Sequence, residues 1–305
     1  MLTFSGNACR LQVKEMDVQR SYIYYNRKGR TGRRKPEVQD SVKSKILRIS
    51  AERTTYGYRR IWAMLRNSGT AVNVKTVRGI VKRDNLSLPY ARHKNRTRRR
   101  DLTEPDNINM LWETDIHYVS TGEGMFYLMS IKDCFSKKWI SYEFSRSCMA
   151  RDAICAVEKA YASRFPETVP HKLILRTDNA PQYVANAFKH SMKILGIGQE
   201  YIRKHTPEDN GNIESFHSSL KTDYVWVTDL ETFEDAEKLM KYAFTDYNSI
   251  RPHSSIGYLP PDEFERRLNE NENFRNDFLE KRKRKEEIRM KNREEKKKRL
   301  RENVL

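Results

Sequence analysis

Cysteine is scarce in this chain, and its placement excludes two classes of protein. The four cysteines among 305 residues, Cys9, Cys134, Cys148 and Cys155, show no CxxC spacing and no paired histidines nearby. They read as reduced intracellular thiols rather than zinc ligands or a disulfide framework. No apolar run approaches the about 18–20 residues that span a bilayer, and residues 1–20 carry charges where a secretory signal would be apolar. The expectation is a soluble, cytoplasmic protein with no membrane partner. Acid, in turn, is scarce at both ends. Residues 1–100 hold 6 Asp and Glu against 26 Lys and Arg, and residues 279–305 hold 6 against 13. Between them, residues 101–278 hold 29 acids against 20 bases, within an overall net charge of +18. Basic flanks suit a polyanion, whose counterions they would release, and an acidic middle suits cations. The length allows one substantial core plus a smaller module.

Along the chain, residues 1–41 form a basic N-terminal segment, with Lys28 to Pro36 as a Gly-containing linker. Residues 42–88 turn helical. Val42, Ile46, Leu47 and Ile49 suit a first helix, and Ile61, Trp62 and Leu65 one face of a second that begins near Tyr56-Gly57-Tyr58. Gly69 ends the second, and Asn73 caps a third through Val74, Val77, Ile80 and Val81. Two short helices across a tight turn match a helix-turn-helix, the last one carrying Lys75, Arg78, Lys82 and Arg83 outward toward DNA. A second basic linker follows over residues 89–104.

The period then changes. Trp112–Val119, Phe126–Lys132 and Trp139–Phe144 read as an antiparallel meander. A helix over 149–164, a buried strand over Lys172–Thr177, a helix over 182–195 that opens on Pro181, a brief strand at Glu200–Ile202 and a helix from about 212 to 226 complete a mixed α/β sheet. The core is assigned to residues 105–267. Residues 268–305 form a basic charged helix or tail.

Three carboxylates stand out. Asp115 lies mid-strand, on one face with Glu113 and His117 and opposite Thr114 and Ile116. Asp178 ends the buried strand, and Glu214 opens a helix after 35 intervening residues. With 41 acids in the chain, one such spacing alone arises by chance, so the element ends that deliver these residues carry the argument. Converging carboxylates repel unless a cation lies between them, and hard oxygen ligands select Mg²⁺, or Mn²⁺ as its substitute. Two such ions serve an in-line displacement at a phosphodiester. Lys221, two turns beyond Glu214, is placed to meet the phosphate.

At these residues the chain resembles the DDE transposases of the integrase superfamily, most of all the second-reading-frame product of frameshifting insertion sequences. The resemblance spans roughly residues 42–265. It is carried by Tyr56-Gly57-Tyr58-Arg59-Arg60-Ile61-Trp62, by Trp112-Glu113-Thr114-Asp115, by Asp209-Asn210 through Glu214-Ser215-Phe216 with Leu220-Lys221, and by the closing block from Tyr247-Asn248 through Arg251-Pro252-His253 to Tyr258. It implies an RNase H-like core, catalytic Asp115, Asp178 and Glu214, and an assisting Lys221. It also implies action on the double-stranded DNA of transposon ends and target, homo-oligomers on that DNA near the nucleoid, and a first-reading-frame partner. Ala180 stands where the family has Gly, and predicts a negative φ there. The competing readings are an RNase H-like nuclease that only cleaves, and a domesticated, non-catalytic DNA-binding protein.

Other residues are read more modestly. Asp133 is taken as a turn cap, His117 as a buried, satisfied histidine, and Arg251-Pro252-His253 as a helix-ending turn whose Arg251 also contacts phosphate. His205, His217 and His253 have no spacing that fits a zinc site.

Overall fold

The computed structural model describes residues 40–86, 102–168, 172–203 and 210–302, without the side chains of Arg293 and of residues 296–302. The linker around Lys28–Pro36, most of the second basic linker, His205, Cys9 and the loop through Asp209 lie outside the described residues. The chain divides into a segment ending at Ser44 and a unit running from Lys45 onward.

Three helices come first: α1 (Asp40–Glu52), α2 (Tyr58–Asn67) and α3 (Val74–Arg83). Within the larger unit, Ile46, Ile49, Ile61, Leu65, Val77, Ile80 and Val81 are buried, as their spacing predicts, whereas Leu47 is exposed. Gly69 follows α2 at a φ of +79°, a left-handed turn that a side chain would strain. The Asn73 side chain accepts the Lys75 N–H at 2.9 Å and so caps α3.

The sheet order is β3-β2-β1-β4-β5, built from β1 (Leu111–Thr121), β2 (Gly124–Asp133), β3 (Trp139–Ser145), β4 (Ile174–Thr177) and β5 (Gly198–Tyr201). The first three strands are the expected antiparallel meander; β4 pairs parallel with β1, and β5 parallel with β4. Asp133 is buried and accepts the N–H groups of Asn109, Phe135 and Ser136, so it caps the strand end as read.

Helices cover both faces. Trp112, Met129 and Leu175 pack on one side against α4 (Ala150–Arg164), α5 (Pro181–Val184) and α6 (Asn186–Ile194). The single helix expected over 182–195 is in fact two. Ala185 adopts an extended ψ of 140° between them, with Tyr183 buried before the break and Phe188 after it. On the other side Val119, Leu128 and Trp139 pack against α7 (Gly211–Asp223) and α8 (Phe233–Ser249). Two helices follow, α9 (Pro261–Glu270) and α10 (Glu272–Glu302). As far as Glu302, the basic C-terminal stretch is therefore helical.

The closing block locks these layers together. Asn248 accepts the Trp139 N–H at 2.9 Å and donates to its carbonyl at 2.8 Å, so it completes the backbone hydrogen bonding where β3 begins. Tyr247 sits edge-on to Phe216 at 4.9 Å. Each such hydrogen bond contributes about 1 kcal/mol net.

Candidate active site

Strand alternation sorts β1 as expected. Thr114 turns to Tyr183 at 3.1 Å and Ile116 to the α4–α6 side, whereas Glu113, Asp115 and His117 face α7. The parallel register pairs Leu111 with Ile174 and Glu113 with Arg176. The same offset carried two residues on sets Asp115 beside Asp178. Burial pushes the Asp178 carboxyl up, the Ala180 N–H on its Oδ1 at 2.9 Å pulls it down, and the Asp115 charge raises it again. Ala180 has a φ of −63°, as predicted.

Glu113 fastens α7 to this strand. It is fully buried, accepts the Ile213 N–H at 2.8 Å and Asn212 Nδ2 at 3.2 Å, and pairs with Arg176 at 3.0 Å. A carboxylate at the first turn of a helix meets its unsatisfied N–H groups and its positive dipole end. Glu214 is the next residue after this tether, half-buried.

One turn further along α7, His217 Nδ1 lies 3.3 Å from Asp115 Oδ2, and its ring stacks on His117 at 5.0 Å. Neither His117 Nε2 nor His217 Nε2 has a hydrogen-bond partner. His117 is therefore buried but not satisfied, which corrects the sequence expectation. Burial first, then the charges of His217 and Lys221, lower its pKa to about 3, against the pull of Asp115. Lys221 is half-buried and lines a small cavity with His117, Tyr118 and Trp226. Asp115, His117, His217 and Lys221 are thus one group.

The structure does not bring all three carboxylates together equally. Asp115 and Asp178 interact, but among the described residues no group of three His, Cys, Asp or Glu side chains is close enough to hold a metal ion. By donor chemistry the two aspartates fit a hard divalent cation: both offer oxygen, and the Asp115 charge opposes ionisation of Asp178.

Lys75, Arg78, Lys82 and Arg83 are all exposed on α3, opposite buried Val77, Ile80 and Val81. Arg78 lies over the Tyr58 ring at 5.7 Å, and Arg83 pairs with Asp84 at 2.9 Å. Arg251 differs from expectation. It is 2% exposed and its guanidinium is engaged by Asp223, Nη2 at 2.8 Å and Nε at 2.9 Å, rather than presented outward to phosphate. Asp223 also accepts Thr55 Oγ1 at 2.5 Å and lies 3.7 Å from Arg60, while Arg53 pairs with Asp246. The helical module is thereby fixed to the far end of α7. Sequence reasoning missed Glu113 as a tether and His217 as a partner of Asp115. The i, i+3 spacing of Glu214 and His217 was the available signal for the second.

Comparison with known proteins agrees with this architecture. The integrase core domain family matches residues 105–207 and again 195–261, and an HTH-like domain family matches residues 37–94. The transposase for insertion sequence element IS904 of Lactococcus lactis subsp. lactis (strain IL1403) is 29% identical over 224 residues, which cover 69% of this chain and 87% of that protein. Transposase InsD for insertion element IS2D of Escherichia coli (strain K12) is 28% identical over 249 residues, 76% of this chain and 81% of that one. Among solved structures, the HTLV-2 integrase catalytic core domain in complex with magnesium aligns over 51% of this chain and 95% of its own at 15% identity. Its TM-score is 0.41. With an integrase core running from residue 105 to 261 behind an HTH-like module, this chain belongs to the insertion-sequence transposases of the DDE integrase superfamily.

Proposed function

We propose that this transposase cleaves a phosphodiester at a transposon end and joins the freed 3′-OH to target DNA, with Asp115, Asp178 and Glu214 as its catalytic carboxylates. The observation that carries this reading is the juxtaposition of Asp115 on β1 and Asp178 just past the end of the parallel neighbour β4, with the first turn of α7 tied to β1 through Glu113. Asp115 and Asp178, with Glu214 as the third ligand, would hold Mg²⁺, or Mn²⁺ in its place, as two ions. When bound, such ions supply charge neutralisation at both the attacking and departing oxygens of an in-line displacement. The protein's own part is positioning. Glu113 sets the start of α7, His217 orients Asp115, and Lys221 offers its ammonium to a phosphate beside the carboxylates. One site serves both steps, because the nucleophile changes from water to a sugar hydroxyl while the phosphate geometry does not.

In this reading the segments divide as residues 1–41, a DNA-reading module at 42–88, a linker at 89–104, the catalytic core at 105–267 and a basic helix at 268–305. Lys75, Arg78, Lys82 and Arg83 contact duplex DNA. The enzyme works as a homo-oligomer on DNA in the cytoplasm, near the nucleoid, with a first-reading-frame partner. Among the described residues no helix is long and apolar enough to cross a membrane.

The test is strand transfer from a labelled oligonucleotide end in Mg²⁺ or Mn²⁺. Asp115→Ala, Asp178→Ala and Glu214→Ala should each abolish cleavage and joining with DNA binding retained, and double variants should be no worse than single ones. Substantial joining by any single variant removes that residue from the catalytic set.

A further inference from the structure

Helix α7 has a second working face. His217 and Lys221 turn toward Asp115 and His117, and Glu214 shares their side of the helix by its spacing. Gly211, Ser215 and Ser219 recur every fourth residue on a face roughly 140° away, and they line a cavity of about 670 Å³. Eight of the described lining residues are Lys or Arg, against one acid, Glu104. They converge from separate parts of the fold: Arg60 of α2, Lys132 and Lys137 around the β2–β3 turn, Arg251 after α8, and a stripe of α10 that includes Lys285 and Arg289.

Some of this charge is already answered within the protein. Asp223 takes Arg251 and Arg60, and Asp277 takes Lys281. Lys132 and Lys137 feel the buried carboxylates of Glu113 and Asp133, which leaves Arg282, Lys285 and Arg289 facing Glu104. Lys132 is buried, only 4% exposed, with its ammonium 3.1 Å from the Asn212 carbonyl, and burial lowers its pKa to about 8. His253 Nε2 is buried in the same wall without a hydrogen-bond partner. A concave cluster of one sign focuses potential on an anion of the other. Three cations spread along one helix face, beside a partly compensated basic wall, exceed what one phosphate balances and suit a run of phosphodiesters.

We propose that this cavity is a second nucleic-acid site, which holds consecutive backbone phosphates of a DNA strand on the opposite side of α7 from the carboxylates. The ligand is a polyphosphodiester, and the assignment rests on the reading of the chain as a DNA-acting enzyme. It places one strand segment between the core and α10 while another lies at Asp115.

The experiment uses the full chain and a labelled DNA duplex, with affinity measured across a salt series. Lys285→Ala with Arg289→Ala removes two charges from the exposed wall. Arg284→Ala with Lys291→Ala removes the same charge from the same helix at positions that do not line the cavity. The wall pair should make the dependence of log affinity on log salt shallower by about 1.8, at about 0.9 for each phosphate that is no longer neutralised, and the control pair by less than half of that. Equal effects of the two pairs overturn the site, because the charge then acts diffusely. Thermal stabilisation by inorganic phosphate that depends on Lys285 and Arg289, with an unchanged DNA salt dependence, makes it a free-anion site and also overturns the proposal. Asp115→Ala in the same series separates the two readings. A catalytically dead Asp115→Ala beside a wall pair with normal salt dependence refutes the cavity alone. An active Asp115→Ala beside an altered wall pair refutes only the catalytic assignment.

Discussion

Replacing Asp223 by alanine removes the counter-charge of Arg251 in a place that water does not reach. The Arg251 side chain is 3% exposed and so is that of Asp223, and the two meet through Nη2 at 2.8 Å and Nε at 2.9 Å. Breaking a buried pair from one side costs about 3–5 kcal/mol, because the remaining ion stays desolvated. The Thr55 hydroxyl and Arg60 lose the same acceptor, but Arg60 is a third exposed and adds little. Asp223→Ala should therefore lower unfolding stability in urea by about 3–5 kcal/mol, or the melting temperature by roughly 6–20 °C at about 2–4 °C per kcal/mol. A second substitution makes the reasoning specific. Arg251→Met introduced into Asp223→Ala removes the stranded charge while it keeps an apolar stem in place, so more than half of the loss should return. The double-mutant cycle reads this coupling directly. A loss below about 1 kcal/mol for Asp223→Ala, or strictly additive losses in the double variant, would show that the pair is not what holds this junction.

Other outcomes follow from the site and the helical module. Lys221→Ala should slow single-turnover strand transfer about 10–150-fold, the equivalent of a charge-assisted hydrogen bond of roughly 1.5–3 kcal/mol, and Lys221→Arg should recover part of it; a wild-type rate for Lys221→Ala returns this residue to the solvated surface. Lys75→Ala or Arg78→Ala should change the ratio of specific to random DNA binding more than total affinity, and equal losses on both DNAs reduce them to phosphate-backbone binders. Burial, and after it the charges of Arg251, Lys132 and Arg60, hold His253 neutral well below its usual pKa. The unfolded chain thus takes up a proton near pH 6.5 that the folded chain refuses. Stability falls as pH drops below about 6.5, by up to about 1.4 kcal/mol per unit for one such group. His253→Gln should flatten that slope by one proton's share in urea titrations at stepped pH, and an unchanged slope refutes this account of His253.

Periodicity alone made the sheet legible. The alternation around Asp115 correctly separated Glu113 and His117 from Thr114 and Ile116, because a half-polar strand between two helical layers must sort its side chains by parity. The caps at Gly69, Asn73 and Asp133 were legible for a similar reason, since each answers a purely local backbone need. What remained hidden depends on partners distant in sequence. Arg251 reads as a surface base, and only its meeting with Asp223, 28 residues away, shows it to be buried. Glu113 reads as one more polar residue until the first turn of α7, 100 residues later, presents its N–H. The break at Ala185 was hidden because it falls on alanine, the best helix former, with no Gly or Pro to mark it, and the packing of Tyr183 and Phe188 decides it.

Helix α7 is held at both ends, by Glu113 of the sheet at its start and by Asp223, joined to Thr55 and Arg60 of the first module, at its finish. It therefore works as a ruler. On the proposed function, with that module on DNA and Asp115 at the reacting phosphate, the number of nucleotides between the two would be set by the length of one helix and two buried anchor points. A flexible tether would blur the position of such a cut, whereas two buried anchors would fix it from the protein's interior.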